Sequence, residues 1–173
     1  MASDHWPIRF WGPLSALGVS LGVVTALVDQ ANKWWMLKVF DIEAKGSVAV
    51  TPFLDLVMVW NRGISYGLFQ QGSALGQILL AGFAVVAVVA LILWLARMTS
   101  LIGAAGAGLV MGGAVGNAID RLVHGAVADF FSFHAGDFYW YVFNVADAAI
   151  VAGVAGLMYD SIFNSHKKVS KTS

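Results

Sequence analysis

Asp129 and Asp147 are the residues whose type and surroundings best suit chemistry. Phe130 and Phe131 follow the first; Val145, Ala146 and Ala148 flank the second. A carboxyl among apolar neighbours is desolvated, which raises its pKa, and a second carboxylate nearby raises one of the two further. Two carboxylates sharing one proton form the acid/base pair of an aspartic protease. The ionised member takes a proton from water while the protonated member polarises the scissile carbonyl. Other polar residues gather in short clusters: Asp29 with Lys33, Asn117 with Asp120 and Arg121, and Asn144 with Asp147. Spacings of three and four put the members of each cluster on one face of a helix.

The elements that must carry these residues are set by composition. The chain has 173 residues, of which 59% are hydrophobic and 12% charged. A soluble domain is about 45–50% apolar and about 25% charged, so the class is integral membrane protein, and the same figures exclude disorder. There are no cysteines, which excludes disulfides, iron–sulfur clusters and a Cys nucleophile. Net charge is zero, so nothing favours nucleic acid. His5, His124, His134 and His166 are scattered without metal-ligand spacing, so a zinc site is not expected.

One membrane domain over residues 1–173 is expected, with four helical spans at about 12–33, 74–96, 98–121 and 138–160, each near the roughly 20 residues that cross a bilayer. The first could instead be a cleaved signal peptide, but it ends in Asp29, Gln30, Asn32 and Lys33 rather than in small residues. Ser47 to Trp60, rich in Val, Phe and Leu, reads as strands or a hairpin on the membrane surface, with Asn61-Arg62-Gly63 as a turn. Trp34, Trp35, Trp60, Tyr66 and Phe69 suit the interface. Gly108, Gly112 and Gly116, with Gly18 and Gly22 and with Ala149 and Gly153, are small-residue stripes for close helix packing. Even span number puts both termini on one side. Arg9, Arg97, Lys167, Lys168 and Lys171 lie on that side and Lys33, Lys38, Lys45, Arg62 and Arg121 on the other. The count ties, but the second side's loops are longer, which favours cytoplasmic termini.

An ionisable group inside a bilayer costs several kcal/mol or more, and all the polar clusters fall on one membrane face. Plainer roles exist for most of them. Asp29 and Lys33 make an ion pair at a helix end. Asp120 and Arg121 could anchor the interface, Arg121 by snorkelling. Asn61 suits a turn, and Asp129 could cap a short helix. Asp147, in an apolar span, has the weakest plain reading. Two other functions stay open. A proton-coupled transporter would carry polar residues through the full depth of its spans, not at one level. A headgroup transferase would use several carboxylates to hold Mg²⁺.

In order along the chain, Val28-Asp29-Gln30 with Lys33, Asn61-Arg62-Gly63 with Gly67, Gly116-Asn117-Ala118-Ile119-Asp120-Arg121, Val127-Ala128-Asp129-Phe130 and Phe143-Asn144-Val145-Ala146-Asp147 resemble the bacterial lipoprotein signal peptidases, signal peptidase II. The resemblance runs over about residues 12–163. It implies a mainly α inner-membrane aspartyl endopeptidase with four transmembrane helices, an extracytoplasmic β-sheet cradle over 39–70 and a short extracytoplasmic helix over 123–137. Such enzymes cut prolipoprotein signal peptides before a diacylglyceryl-modified cysteine. They use no cofactor, and globomycin-type peptide antibiotics inhibit them. The resemblance implies Asp129 and Asp147 as the catalytic pair. It implies Asp29, Lys33, Asn61, Gly63, Asn117, Arg121 and Asn144 as substrate-binding or supporting residues. After Asn61-Arg62-Gly63 the family has small residues and then Phe, whereas this chain has Ile64, Ser65 and Tyr66.

Overall fold

The computed structural model describes residues 10–63 and 73–169, the last six by backbone alone. Ile64 to Gly67, the end of the expected surface β region, and the aromatic rings of Tyr66 and Phe69 lie outside the described residues. So do the side chains of Arg9, Lys167, Lys168 and Lys171.

Four long helices form the bundle: α1 (Ser15–Trp34), α3 (Ala74–Leu95), α4 (Leu101–His124) and α5 (Val145–Val169). Serines start two of them. The Ser73 hydroxyl accepts from Gly76 N before α3, and the Ser100 hydroxyl from Gly103 N before α4, each satisfying a donor that a helix start leaves unpaired. Gly125 ends α4 in the left-handed conformation, φ 70°, which costs a glycine little. In α3, α4 and α5, the last over Val145–Phe163, the helices are long and apolar enough to cross a membrane. Helix α1 has 20 residues, but its final turns carry Asp29, Gln30, Asn32 and Lys33.

Helix α4 is the centre of the bundle and packs on α1, α3 and α5. Its glycines set how near the others come. A Cβ on Gly108 would stand 2.5 Å from the Gly18 carbonyl oxygen of α1, and one on Gly153 of α5 2.6 Å from the Gly106 carbonyl oxygen. Backbone thus meets backbone, the packing that small residues permit where no hydrophobic effect operates.

The sheet departs from expectation in two places. Strands β1 (Val48–Thr51) and β2 (Leu54–Asn61) fall in the expected region. That region also holds helical turns, because α1 runs on through a π-helical turn, Trp35–Val39, and α2 (Ile42–Lys45) follows. The segment expected to hold a short helix, 123–137, is instead mostly strand β3 (Val127–Ala135), followed by β4 (Phe138–Tyr139). All pairs are antiparallel, in the order β1-β2-β3-β4. The physical reason is side-chain alternation. Ala128 and Phe130 point one way and pack with Met36 and Ile42; Asp129 points the other way, toward the helices. A two-stranded hairpin is marginal alone, and β3 gives β2 its second partner. The fourth helix also begins at Val145, not 138, because Phe143 bridges to Phe131 and keeps the preceding residues extended.

Gly108→Val should therefore push α1 off α4. We expect a loss of about 1–3 kcal/mol, seen as a lower unfolding temperature in detergent. Gly82→Ala, whose Cβ would meet nothing within 4 Å, should leave that temperature unchanged.

Candidate active site

The backbone first brings β3 to the start of α5. Phe130 N and Phe131 N both donate to the Phe143 carbonyl, and Phe143 N donates to the Phe131 carbonyl, all at 2.9–3.0 Å. The next residue, Asn144, is thereby delivered beside Asp129. Asn144 is also the cap of α5, since its Oδ1 accepts from Asp147 N at 2.9 Å. Asp147 consequently stands in the first turn of α5, where the helix dipole favours negative charge.

Asp129 is 1% exposed. Its Oδ1 accepts from Asn144 Nδ2 at 2.6 Å and its Oδ2 from Asn61 Nδ2 at 3.1 Å. Asn61 can reach it because Asp129 pairs with Val59 and Val127 with Asn61, which makes Asn61 and Asp129 diagonal neighbours on one face. Burial, and then the negative charge of Asp147, push the Asp129 carboxyl up to about 7, against the amide bonds from Asn61 and Asn144 and the charge of Lys33. Asp147 Oδ1 accepts from Asn117 Nδ2 at 2.9 Å. Asn117 Oδ1 in turn accepts from Asn144 Nδ2 and from Lys33 Nζ, both at 3.2 Å. The two carboxylates are thus joined through two asparagines and, among the described residues, share no direct cation.

Beneath them lies a buried ionic knot. Lys33 Nζ is 2.8 Å from Asp29 Oδ2 and 2.8 Å from Asp120 Oδ2. Asp29 Oδ1 accepts from Ala146 N at 2.9 Å, which satisfies a second free donor at the start of α5. Asp120 Oδ2 accepts from Ala128 N at 3.0 Å, one residue before Asp129. Gln30 Nε2 donates to Asp120 Oδ1 at 2.9 Å and to the Gly116 carbonyl at 3.1 Å. A side chain on Gly116 would strike the Asp29 carboxylate, so this glycine makes room for the knot rather than for a backbone.

Arg121 donates from Nη2 to the Gly63 carbonyl at 2.9 Å and from Nη1 to the Asn117 carbonyl at 3.2 Å. Gly63 N donates to Asn61 Oδ1 at 3.0 Å. A cleft of about 260 Å³ opens here, lined by Asn61, Asp129, Tyr141 and the apolar Val59, Trp60 and Val142. A larger cavity, about 320 Å³ between α1, α3 and α4, is lined by apolar residues with Gln30 and offers nothing that could act on a peptide bond.

Asp29, Lys33, Asn61, Gly63, Asn117, Arg121, Asp129, Asn144 and Asp147 are all brought into this one assembly, and Gly67 lies outside the described residues. Three plainer readings are corrected. Asp120 is 2% exposed and bonds to Lys33, so it does not anchor an interface. Arg121 is turned toward the Gly63 and Asn117 carbonyls. Asp129 lies within β3 and caps no helix. The ion pair of Asp29 with Lys33 is present and is half of a larger network. Asn61 both closes a turn and reaches Asp129. Gln30 and Tyr141 were missed as site residues. Gln30 could have been found from its spacing of three from Lys33; Tyr141 had no sequence signal beyond lying three residues before Asn144.

The family model for signal peptidase (SPase) II matches residues 21–163. A lipoprotein signal peptidase of Rhodopseudomonas palustris is 54% identical over 150 residues, covering 84% of this chain and 92% of that one. Another from Nitrobacter hamburgensis is 52% identical over 152 residues, covering 86% and 93%. A bacterial membrane enzyme solved by the in meso method at 2.3 Å has a TM-score of 0.76 at 22% identity, covering 88% of this chain and 92% of that one; at that identity it speaks for the fold.

Lys33→Met should leave Asp29 and Asp120 as adjacent buried carboxylates without their cation. The expected cost is about 3–5 kcal/mol, measured by thermal or denaturant unfolding in detergent. A stability within error of the wild type would show that the knot contributes nothing to the fold.

Proposed function

This chain belongs to the signal peptidase II family, a bacterial membrane peptidase family that removes signal peptides from prolipoproteins, and on that premise we propose that it is an intramembrane aspartyl endopeptidase cutting before a diacylglyceryl-modified cysteine. The observation that carries the mechanism is the pairing of Asp129, held near pKa 7, with Asp147 across the Asn144–Asn117 bridge. In this reaction Asp129 carries the proton and Asp147 is its ionised partner. Water attacks the scissile carbonyl carbon and gives one proton to Asp147. The Asp129 proton passes to the carbonyl oxygen as the tetrahedral intermediate forms. On collapse the C–N bond breaks, the leaving cysteine amine takes the proton from Asp147, and the diol returns a proton to Asp129. Atoms and charges balance with no metal or organic cofactor in any step.

The neighbours serve this reaction. Asn61 and Asn144 fix both Asp129 oxygens, and Asn117 fixes Asp147. Arg121 and Gly63 hold the turn that carries Asn61. Asp29 and Lys33 brace the start of α5. A diacylglyceryl group keeps its acyl chains in the bilayer, which requires the cut to occur where sheet meets helices. We place the enzyme in the inner membrane as one domain with four spans, cytoplasmic termini and the site near the extracytoplasmic face. Prolipoproteins and membrane lipid are its partners, and globomycin-type peptides would occupy the cleft as inhibitors.

Purified protein should shift a lipidated prolipoprotein on a gel and leave an unlipidated control intact. Asp129→Asn and Asp147→Asn should each lower turnover by about 10²–10⁴-fold or more while the protein stays folded. Near-normal turnover by either variant removes the dyad. Because the Asp129 proton is required, activity should fall as pH rises through about 7. A reporter active only in the cytoplasm should give signal when fused at residue 98 and none at residue 45; the reverse pattern would invert the orientation.

A further inference from the structure

Both Asp129 oxygens are held by asparagine amides, one just before α5 and the other at the end of β2. On its Oδ1 side stands Asn144. On its Oδ2 side stands Asn61, whose amide makes three contacts. Asn61 Oδ1 accepts from Gly63 N at 3.0 Å, one Nδ2 hydrogen goes to Asp129 Oδ2 at 3.1 Å, and the other goes to the Tyr141 hydroxyl oxygen at 2.5 Å. The terminal torsion of an asparagine is broad and intrinsically poorly fixed. An amide tied at a single point would swing, and its bond to Asp129 would be made only part of the time.

We infer that Tyr141 is a further positioning residue: by accepting one Asn61 amide hydrogen, its hydroxyl orients the other onto Asp129. Tyr141 is well placed for this. It lies two residues before Phe143, whose backbone is tied to Phe131 by the bonds that also place Asn144. It therefore moves with β3, and its hydroxyl is fixed relative to Asp129 rather than to the turn that carries Asn61. Tyr141 also lines the cleft beside Asp129, so direct contact with the substrate is the competing role, and the two roles give different kinetics. The inference rests on the proposed dyad.

The sign of the pH effect follows from what faces Asp129. Asp147 on α5 raises its pKa, while Lys33 on α1 and Arg121 on α4 bring positive charge, and Arg62 lines the same cleft. Tyr141→Phe leaves each of these charged groups in place and removes only the hydroxyl that also faces Arg121. It loosens the Asn61 N–H bond, which favours the ionised form, so Asp129 should keep its proton to higher pH.

The experiment is cleavage of a lipidated prolipoprotein by Tyr141→Phe, Asn61→Ala and the double variant, each measured across pH. For Tyr141→Phe we expect kcat lower by about fivefold, the value of one neutral hydrogen bond. KM and unfolding temperature should be unchanged, and the alkaline limb should move upward. In the Asn61→Ala background, Tyr141→Phe should add nothing, because its effect passes through that amide. Tyr139→Phe, at a ring that stacks on His134 and does not line the cleft, should behave as wild type. A raised KM with kcat and the pH profile unmoved, or an effect that multiplies undiminished onto Asn61→Ala, overturns the inference and makes Tyr141 a substrate contact or a bystander. An active Asp129→Asn would instead overturn the dyad itself, so the two failures are distinguishable.

Discussion

The buried ammonium of Lys33 is the interaction on which the rest of the site depends. Asp29, Lys33 and Asp120 are 0%, 3% and 2% exposed. Groups so deeply buried are tolerable only when paired and hydrogen-bonded. The pairing does more than neutralise charge, because each carboxylate has a second oxygen or lone pair to offer. Asp29 uses it on the Ala146 N–H at the start of α5, and Asp120 on the Ala128 N–H beside Asp129. One cation on α1 thereby fixes the backbone on either side of the proposed dyad. A hydrophobic replacement could fill the space, but it could not hold those two N–H groups.

Above the knot the chemistry changes from ionic to neutral. Asparagines, not lysines or arginines, touch the Asp129 and Asp147 carboxylates. The choice has an electrostatic consequence. A lysine or arginine bonded directly to Asp129 would pull its pKa far down and empty it of its proton near neutrality. An amide fixes the oxygens with a smaller bias toward the charged form. The positive charge of Lys33 reaches the pair at one remove, through Asn117 Oδ1.

The sequence disclosed the site more fully than the fold. Asp147, Asp129, Lys33 and Arg121 stand out because a membrane chain has no inexpensive place for a charge, and spacings of three and four group them with their asparagines. What was not legible depended on partners distant along the chain. The stretch 127–135 has an aromatic-rich alternating pattern that only becomes a strand when β2 lies against it. The start of α5 was expected at 138, since Phe138, Tyr139 and Trp140 are as apolar as a span. The Phe131–Phe143 bridge, a pairing across twelve residues, delays the helix to Val145. Tyr141 was silent because a tyrosine among aromatics at a membrane surface needs no further explanation until its hydroxyl is seen against Asn61.

The glycine stripe of α4 shows why packing and chemistry here are one constraint. Gly108 and Gly112 let the backbone of α1 come against α4. One turn beyond Gly112, where α1 turns polar, Gly116 of the same stripe receives the Asp29 carboxylate in place of a backbone. The close approach fixed lower in the bundle is what carries Lys33 to 2.8 Å from Asp120 on α4. A wider α1–α4 separation would fail both ways: Lys33 would be drawn from Asp120, and Asp29 from the Ala146 N–H. Since α5 starts at that N–H, its first turn would lose the register that places Asp147 opposite Asp129. The small residues inside the bundle thus set, over a distance of several turns, the spacing of the two carboxylates at its end.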